Sequence, residues 1–161
     1  MQTGKRQTEQ KGFTLIAVLV AMLLLALGVS QVTTVASQQA QREREAQLLQ
    51  IGLAYQQAIG SYYESSPGTM KRWPRDVSDL TDDKRFVTLR RHLRKAYADP
   101  VSPGQDWEWI RAADGGIQGV FSPSELAPLR TAALELPSLS LPAASQYRQW
   151  QFVYTPKTVP R

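Results

Sequence analysis

From Phe13 to Gln41 the chain carries no charged side chain, and its first part, Phe13 to Val29, is built almost entirely from Leu, Val, Ala, Ile and Met. A small soluble domain has no interior long enough to bury such a run. It needs lipid or other apolar helices around it. The polar stretch before it holds Lys5, Arg6 and Lys11 against a single acid, Glu9.

A cleaved secretory signal has an apolar region of roughly 7–15 residues and then a small-residue cleavage site. The run here is longer and passes without a break into residues 30–36. Counted from Phe13 to Ala36 it gives 24 uncharged residues, enough to cross a hydrocarbon core about 30 Å thick as a helix. A retained transmembrane helix over 13–36, in contact with membrane lipid, is the expectation. The cationic leader holds the N-terminal end in the cytoplasm. The rest of the chain then lies across the membrane, which in a bacterial source is the inner membrane with the periplasm beyond it.

Helical periodicity continues past the apolar run. Gln38 to Ser65 contains no proline, and Leu48, Ile51, Tyr55, Ala58, Ile59 and Tyr62 recur at spacings of three and four. That predicts an amphipathic second half over 37–66, with Arg42, Glu43, Arg44, Glu45, Gln56, Gln57 and Glu64 mostly off the buried stripe. Ser65-Ser66-Pro67-Gly68 is a stop by composition.

Residues 67–161 read as a small α+β head. The segment 84–97 predicts a second helix, with Phe86, Leu89, Leu93 and Tyr97 inward and Arg85, Arg90, Arg91, Arg94 and Lys95 outward. Residues 107–111 and 117–122 read as strands around an Asp114-Gly115 turn, and 149–154 alternates as a third strand. Between them Pro123, Pro128, Pro137 and Pro142 exclude long regular structure. A sheet of about three antiparallel strands packed on the long helix would bury Trp107, Trp109, Phe121, Trp150 and Phe152.

Known catalytic signatures are missing. With no cysteine there is no disulfide, thiolate metal site or cysteine nucleophile. His92 is the only histidine and has no second His or Cys to share a metal, and Gly115–Gly119 opens no helix that could cradle phosphate. An enzyme is not expected, and no cofactor. The net charge of +5 falls to +3 without residues 1–12, a balance that speaks to non-specific partners rather than to fold.

Gly12-Phe13-Thr14-Leu15-Ile16 resembles the processing site of type IV pilins and type II secretion pseudopilins. The resemblance implies a leader, 1–12, removed by a prepilin peptidase that cuts after Gly12 and methylates the new amine of Phe13. It also implies a pilin-like long helix under a globular head. Assembly would run through Phe13, Leu15, Ile16 and Ala17 against other pseudopilins or pilins, at an inner-membrane assembly platform, in a periplasmic pseudopilus. At Ala17 the family usually has Glu, which neutralises a neighbouring subunit's N-terminal ammonium in the apolar filament core, where an unpaired charge is costly. With Ala17 this chain presents its own amine but cannot reciprocate. That implies a minor, tip-proximal or initiating subunit, or a system that tolerates Ala here.

The segment from Pro74 to Leu80 is similar to the proline-led turn that packs back on the long helix in pseudopilins. A looser likeness to a minor pseudopilin-like branch runs through Tyr97–Pro100, Trp107, Gly115–Ser122 and Trp150–Tyr154. Major pseudopilins can bind calcium in a loop. Here Asp76, Asp79, Asp82 and Asp83 match no EF-hand spacing, and Asp99, Asp106 and Asp114 serve turns and caps equally well, so calcium stays a minor alternative. The alternative function is a minor type IV pilin that binds DNA or another anionic surface through the basic helix 84–97.

Overall fold

The structure is a computed structural model that describes residues 10–136 and 138–156, with side chains at 13–24 and from 37 onward. The expected leader therefore lies largely outside the described residues, as do Pro137 and the side chains of 25–36. The element order is α1 (Gln10–Glu64), α2 (Val77–Thr81), β1 (Glu108–Arg111), β2 (Ile117–Phe121), β3 (Leu134–Leu136), β4 (Leu139–Leu141) and β5 (Phe152–Val153), with a 3-10 turn at Tyr147–Gln149. The chain divides into two compact units, 1–40 and 41–161.

The first unit is helical from Gln10 onward. Phe13, Leu15, Ile16, Val18, Leu19, Val20, Met22, Leu23 and Leu24 are all exposed. Among the described residues no helix is long and apolar enough to cross a membrane.

In the second unit the predicted stripe is the wall of the core. Leu48, Tyr55, Ala58, Ile59 and Tyr62 are buried together with Leu80, Leu93, Trp107, Ile117, Val120, Leu141, Tyr147, Trp150 and Phe152. Burial of that much aliphatic and aromatic surface is the main force holding the head on α1. Tyr55 fills the centre, with ring centroids 5.7 Å from Trp107, 5.8 Å from Trp109 and 6.4 Å from Tyr97.

Three strands form the sheet on this wall, in the order β1-β2-β5, all antiparallel. The β1–β2 hairpin turns at Ala112–Gly116, where Gly115 has φ +81° and the Asp114 carboxylate accepts from the Gly116 N–H at 3.0 Å. Only glycine enters that left-handed region at no steric cost. Of the expected core aromatics, Trp107, Trp150 and Phe152 are buried, while Trp109 and Phe121 are half-buried. A β3–β4 hairpin, unforeseen in the proline-punctuated stretch, pairs Leu134 with Leu141 and Leu136 with Leu139. Three-residue strands fit between prolines where longer ones do not.

The segment after Pro74 forms α2, a single turn with a capping box. Asp76 accepts from the Ser78 N–H at 2.8 Å, and Asp79 reaches back to the backbone N–H groups of Arg75 and Asp76. Leu80 is thereby pinned into the core.

The predicted helix over 84–97 does not form. Residues 84–97 run as turns and bends, closed by an antiparallel bridge between Asp83 and Arg90. The N–H groups of His92 and Leu93 both bond the Leu80 carbonyl at 2.8 Å, which takes them away from any helical partner. Only Leu93 of the expected apolar face is buried; Phe86 and Tyr97 are half-buried and Leu89 is exposed. The local 3.6-residue pattern is overridden by the Asp83 carboxylate, which gathers side chains and backbone from this segment.

Candidate functional site

Three constellations, two on α1 and one against its C-terminal end, carry the chemistry of this chain. The first is its N-terminal end. Lys11, Gly12 and Phe13 stand in the helix, followed by the exposed side chains of Leu15, Ile16 and Ala17. Phe13 is 77% exposed among the described residues. Nine large apolar side chains exposed over twelve residues far exceed the scattered apolar exposure normal for a soluble surface. The arrangement offers an apolar stripe to lipid or to another helix and no catalytic group.

The second is an anchor at Glu45. Its buried carboxylate accepts from the Leu129 N–H at 2.7 Å, from the Arg130 N–H at 3.3 Å and from the Tyr147 hydroxyl at 3.0 Å. Burial raises the Tyr147 hydroxyl above its ordinary pKa, and the Glu45 carboxylate beside it adds to the rise. Three turns along, Gln56 donates to the carbonyls of Ser138 and Val153 at 2.9 and 3.0 Å, tying the β3–β4 hairpin and β5 to α1. Both residues were assigned to the solvated side of the helix, and both are buried. No spacing rule finds them, because each is satisfied by backbone more than 80 residues away.

The third is a hub at Asp83. Its carboxylate receives Arg85 through Nε at 2.8 Å and Nη2 at 2.7 Å, the Arg85 N–H at 3.0 Å, and His92 Nε2 at 3.1 Å. The Asp83 and His92 side chains are each only 1% exposed. Burial pushes the Asp83 carboxyl up, but the bonds from Arg85 and His92 outweigh it and bring it down to about 2. The Arg85 guanidinium also bonds the Tyr62 carbonyl and the Ser66 hydroxyl and lies 3.4 Å from the Tyr62 ring centroid. His92 Nδ1 meets the Ser61 hydroxyl at 2.8 Å. The hub locks the 83–93 segment onto the C-terminal end of α1.

The five basic residues assigned to one helix face therefore have different fates. Arg85 is consumed by the hub. Arg90 stacks over the Phe86 ring at 4.9 Å, and Lys95 lies 5.4 Å from the Tyr97 ring centroid. Arg91 and Arg94 are exposed. The acids weighed for calcium are largely engaged: Asp76 and Asp79 in the α2 cap, Asp83 in the hub, and Asp99 with the Val101 N–H and the Ser122 hydroxyl. Among the described residues no group of three or more metal-ligating side chains comes together.

An exposed apolar helix ahead of an α+β head with a small antiparallel sheet defines the pilin-like class of architecture. The chain carries the prokaryotic N-terminal methylation motif, matched over residues 8–30, the hallmark of type II secretion pseudopilins and type IV pilins. The motif supports a type IV pilin or pseudopilin-like protein and implies processing by a prepilin peptidase and assembly with other pilins. No curated protein and no solved structure matches the chain.

Proposed function

We propose that this chain is a structural subunit of a type II secretion pseudopilus or a related type IV filament. It is cut after Gly12 and methylated at Phe13. The observation that carries the reading is the methylation motif at 8–30, whose apolar side chains from Phe13 to Leu24 are exposed among the described residues. Lipid solvates them before assembly, and sister helices replace the lipid in the filament. The head faces the periplasm on a single inner-membrane pass, and an assembly platform draws the subunit into the filament.

Ala17 gives the reading its finer grain. A methyl group cannot answer a neighbour's N-terminal ammonium, so the chain occupies a position where no subunit needs that answer. A tip or initiating place meets the condition. Intact mass and N-terminal sequencing of the mature protein from its host test the proposal. A chain beginning at N-methyl-Phe13 supports it; one retaining Met1, or beginning elsewhere, refutes it.

A further inference from the structure

The hub at Asp83 leaves over a projecting surface. Residues 84–91 rise from a base fixed by the Asp83 N–H to Arg90 carbonyl bond of 2.9 Å, by the Arg85 side chain, and by the two N–H groups on Leu80. At the tip Val87 is fully exposed and Leu89 is 59% exposed. Neither contributes to the core. Phe86, half-buried, sits between the guanidinium groups of Arg85 and Arg90.

The flanks are of one sign. Lys84, Arg90, Arg91, Arg94 and Lys95 are all exposed, and no acid occurs from Lys84 to Ala98. Arg85 is answered by Asp83. Of the acids on either side in sequence, Asp79 is held in the α2 cap, Asp99 is buried and Asp82 is exposed; Glu64, at the end of α1, is exposed too and pairs with Lys71.

An exposed aliphatic pair flanked in sequence by exposed cations suits a partner that is both anionic and apolar. A bilayer offers both layers in order, phosphates first and acyl chains just beneath. Duplex DNA supplies the phosphates but no apolar layer for Val87 and Leu89. We propose that the 84–95 loop docks the head on an anionic phospholipid surface. Val87 and Leu89 enter the acyl boundary, and Lys84, Arg90, Arg91, Arg94 and Lys95 meet the phosphates. The docking does not depend on filament assembly.

The cysteine-free sequence allows a direct test. Full-length Val87→Cys, labelled with an environment-sensitive dye, is held in phosphatidylcholine nanodiscs that occupy its apolar helix. Vesicles are then added. The expected result is a saturable blue shift with phosphatidylglycerol vesicles, absent with phosphatidylcholine vesicles and reversed by high salt. Arg91→Gln and Arg94→Gln, made in that labelled chain, should each weaken binding about fivefold, as expected for one cation near an anionic surface. Leu89→Ser should weaken binding and leave its salt dependence unchanged. No shift with anionic vesicles, an equal shift with neutral ones, or a shift with duplex DNA or an acidic peptide alone overturns the proposal.

Discussion

The ring of Phe152 lies so close over Gly52 that a Cβ at that glycine would sit 2.5 Å from three of its carbons. Two turns further along α1 the same holds for Gly60, whose Cβ would meet the Tyr154 ring at 2.6 Å. Glycine inside a helix costs about 1 kcal/mol relative to alanine. Here the two bare positions are what admits β5 to the helix. Gly52→Ala should therefore destabilise the head despite better helix propensity, by up to about 2 kcal/mol net, since overpacking a dense core costs about 1–3 kcal/mol and the propensity gain returns about 1. Urea unfolding measures it, and Gly52→Ala combined with Phe152→Leu should cost less than the sum of the two.

Glu45 holds the 126–130 segment by its backbone. Glu45→Ala leaves the Leu129 and Arg130 N–H groups and the buried Tyr147 hydroxyl without their acceptor, which costs about 2–3 kcal/mol. Hydrogen exchange at Leu129 should accelerate well before that of β2. Equal acceleration everywhere would refute a local anchor.

The Asp83 hub sets the acid limit of the head. Its carboxyl falls to about 2 in the folded chain against an ordinary 3.8, because Arg85 and His92 overcome the cost of burial. The stabilisation is present above pH about 4 and is lost as pH falls through about 2. Asp83→Asn should cost about 2 kcal/mol at neutral pH and flatten the stability profile between pH 4 and 2. An unchanged acid slope in the variant would show that Arg85 is held by something else.

At the alkaline end the sign is reversed. Burial lifts the Tyr154 hydroxyl to about 12, helped by its bond of 2.9 Å to Glu64. Its contribution is complete below pH 10 and is lost as pH rises towards 12. In Tyr154→Phe the loss of stability over that range should be shallower, as followed by circular dichroism.

The elements that periodicity reports were legible in the sequence. The α1 stripe needed only the spacing of Leu48, Tyr55, Ala58, Ile59 and Tyr62, and the β1–β2 hairpin needed only its Asp-Gly turn. Gly52 and Gly60 were a readable signal too, because glycines eight apart on the buried side of a helix mark a close approach. The segment 84–97 misled because Phe86, Leu89, Leu93 and Tyr97 keep helical spacing while the Asp83 carboxylate, just outside the pattern, takes its hydrogen bonds. Glu45 and Gln56 were hidden for a related reason. A polar residue on a helix reads as solvated until its partner is known, and their partners come from the far end of the chain.

That distance has a consequence for the order of events in folding. Glu45 waits for Tyr147, Gln56 for Val153 and Glu64 for Tyr154, across separations of 102, 97 and 90 residues. Contacts so remote in sequence form late, because the loop must close before they contribute. Until residues 147–154 are in place, the glycines, the carboxylate and the amide of the helix wall lack the partners they have in the folded head. A nascent chain stopped just short of Trp150 would hold α1, the hub and the first hairpin, and would still lack the piece that closes the core.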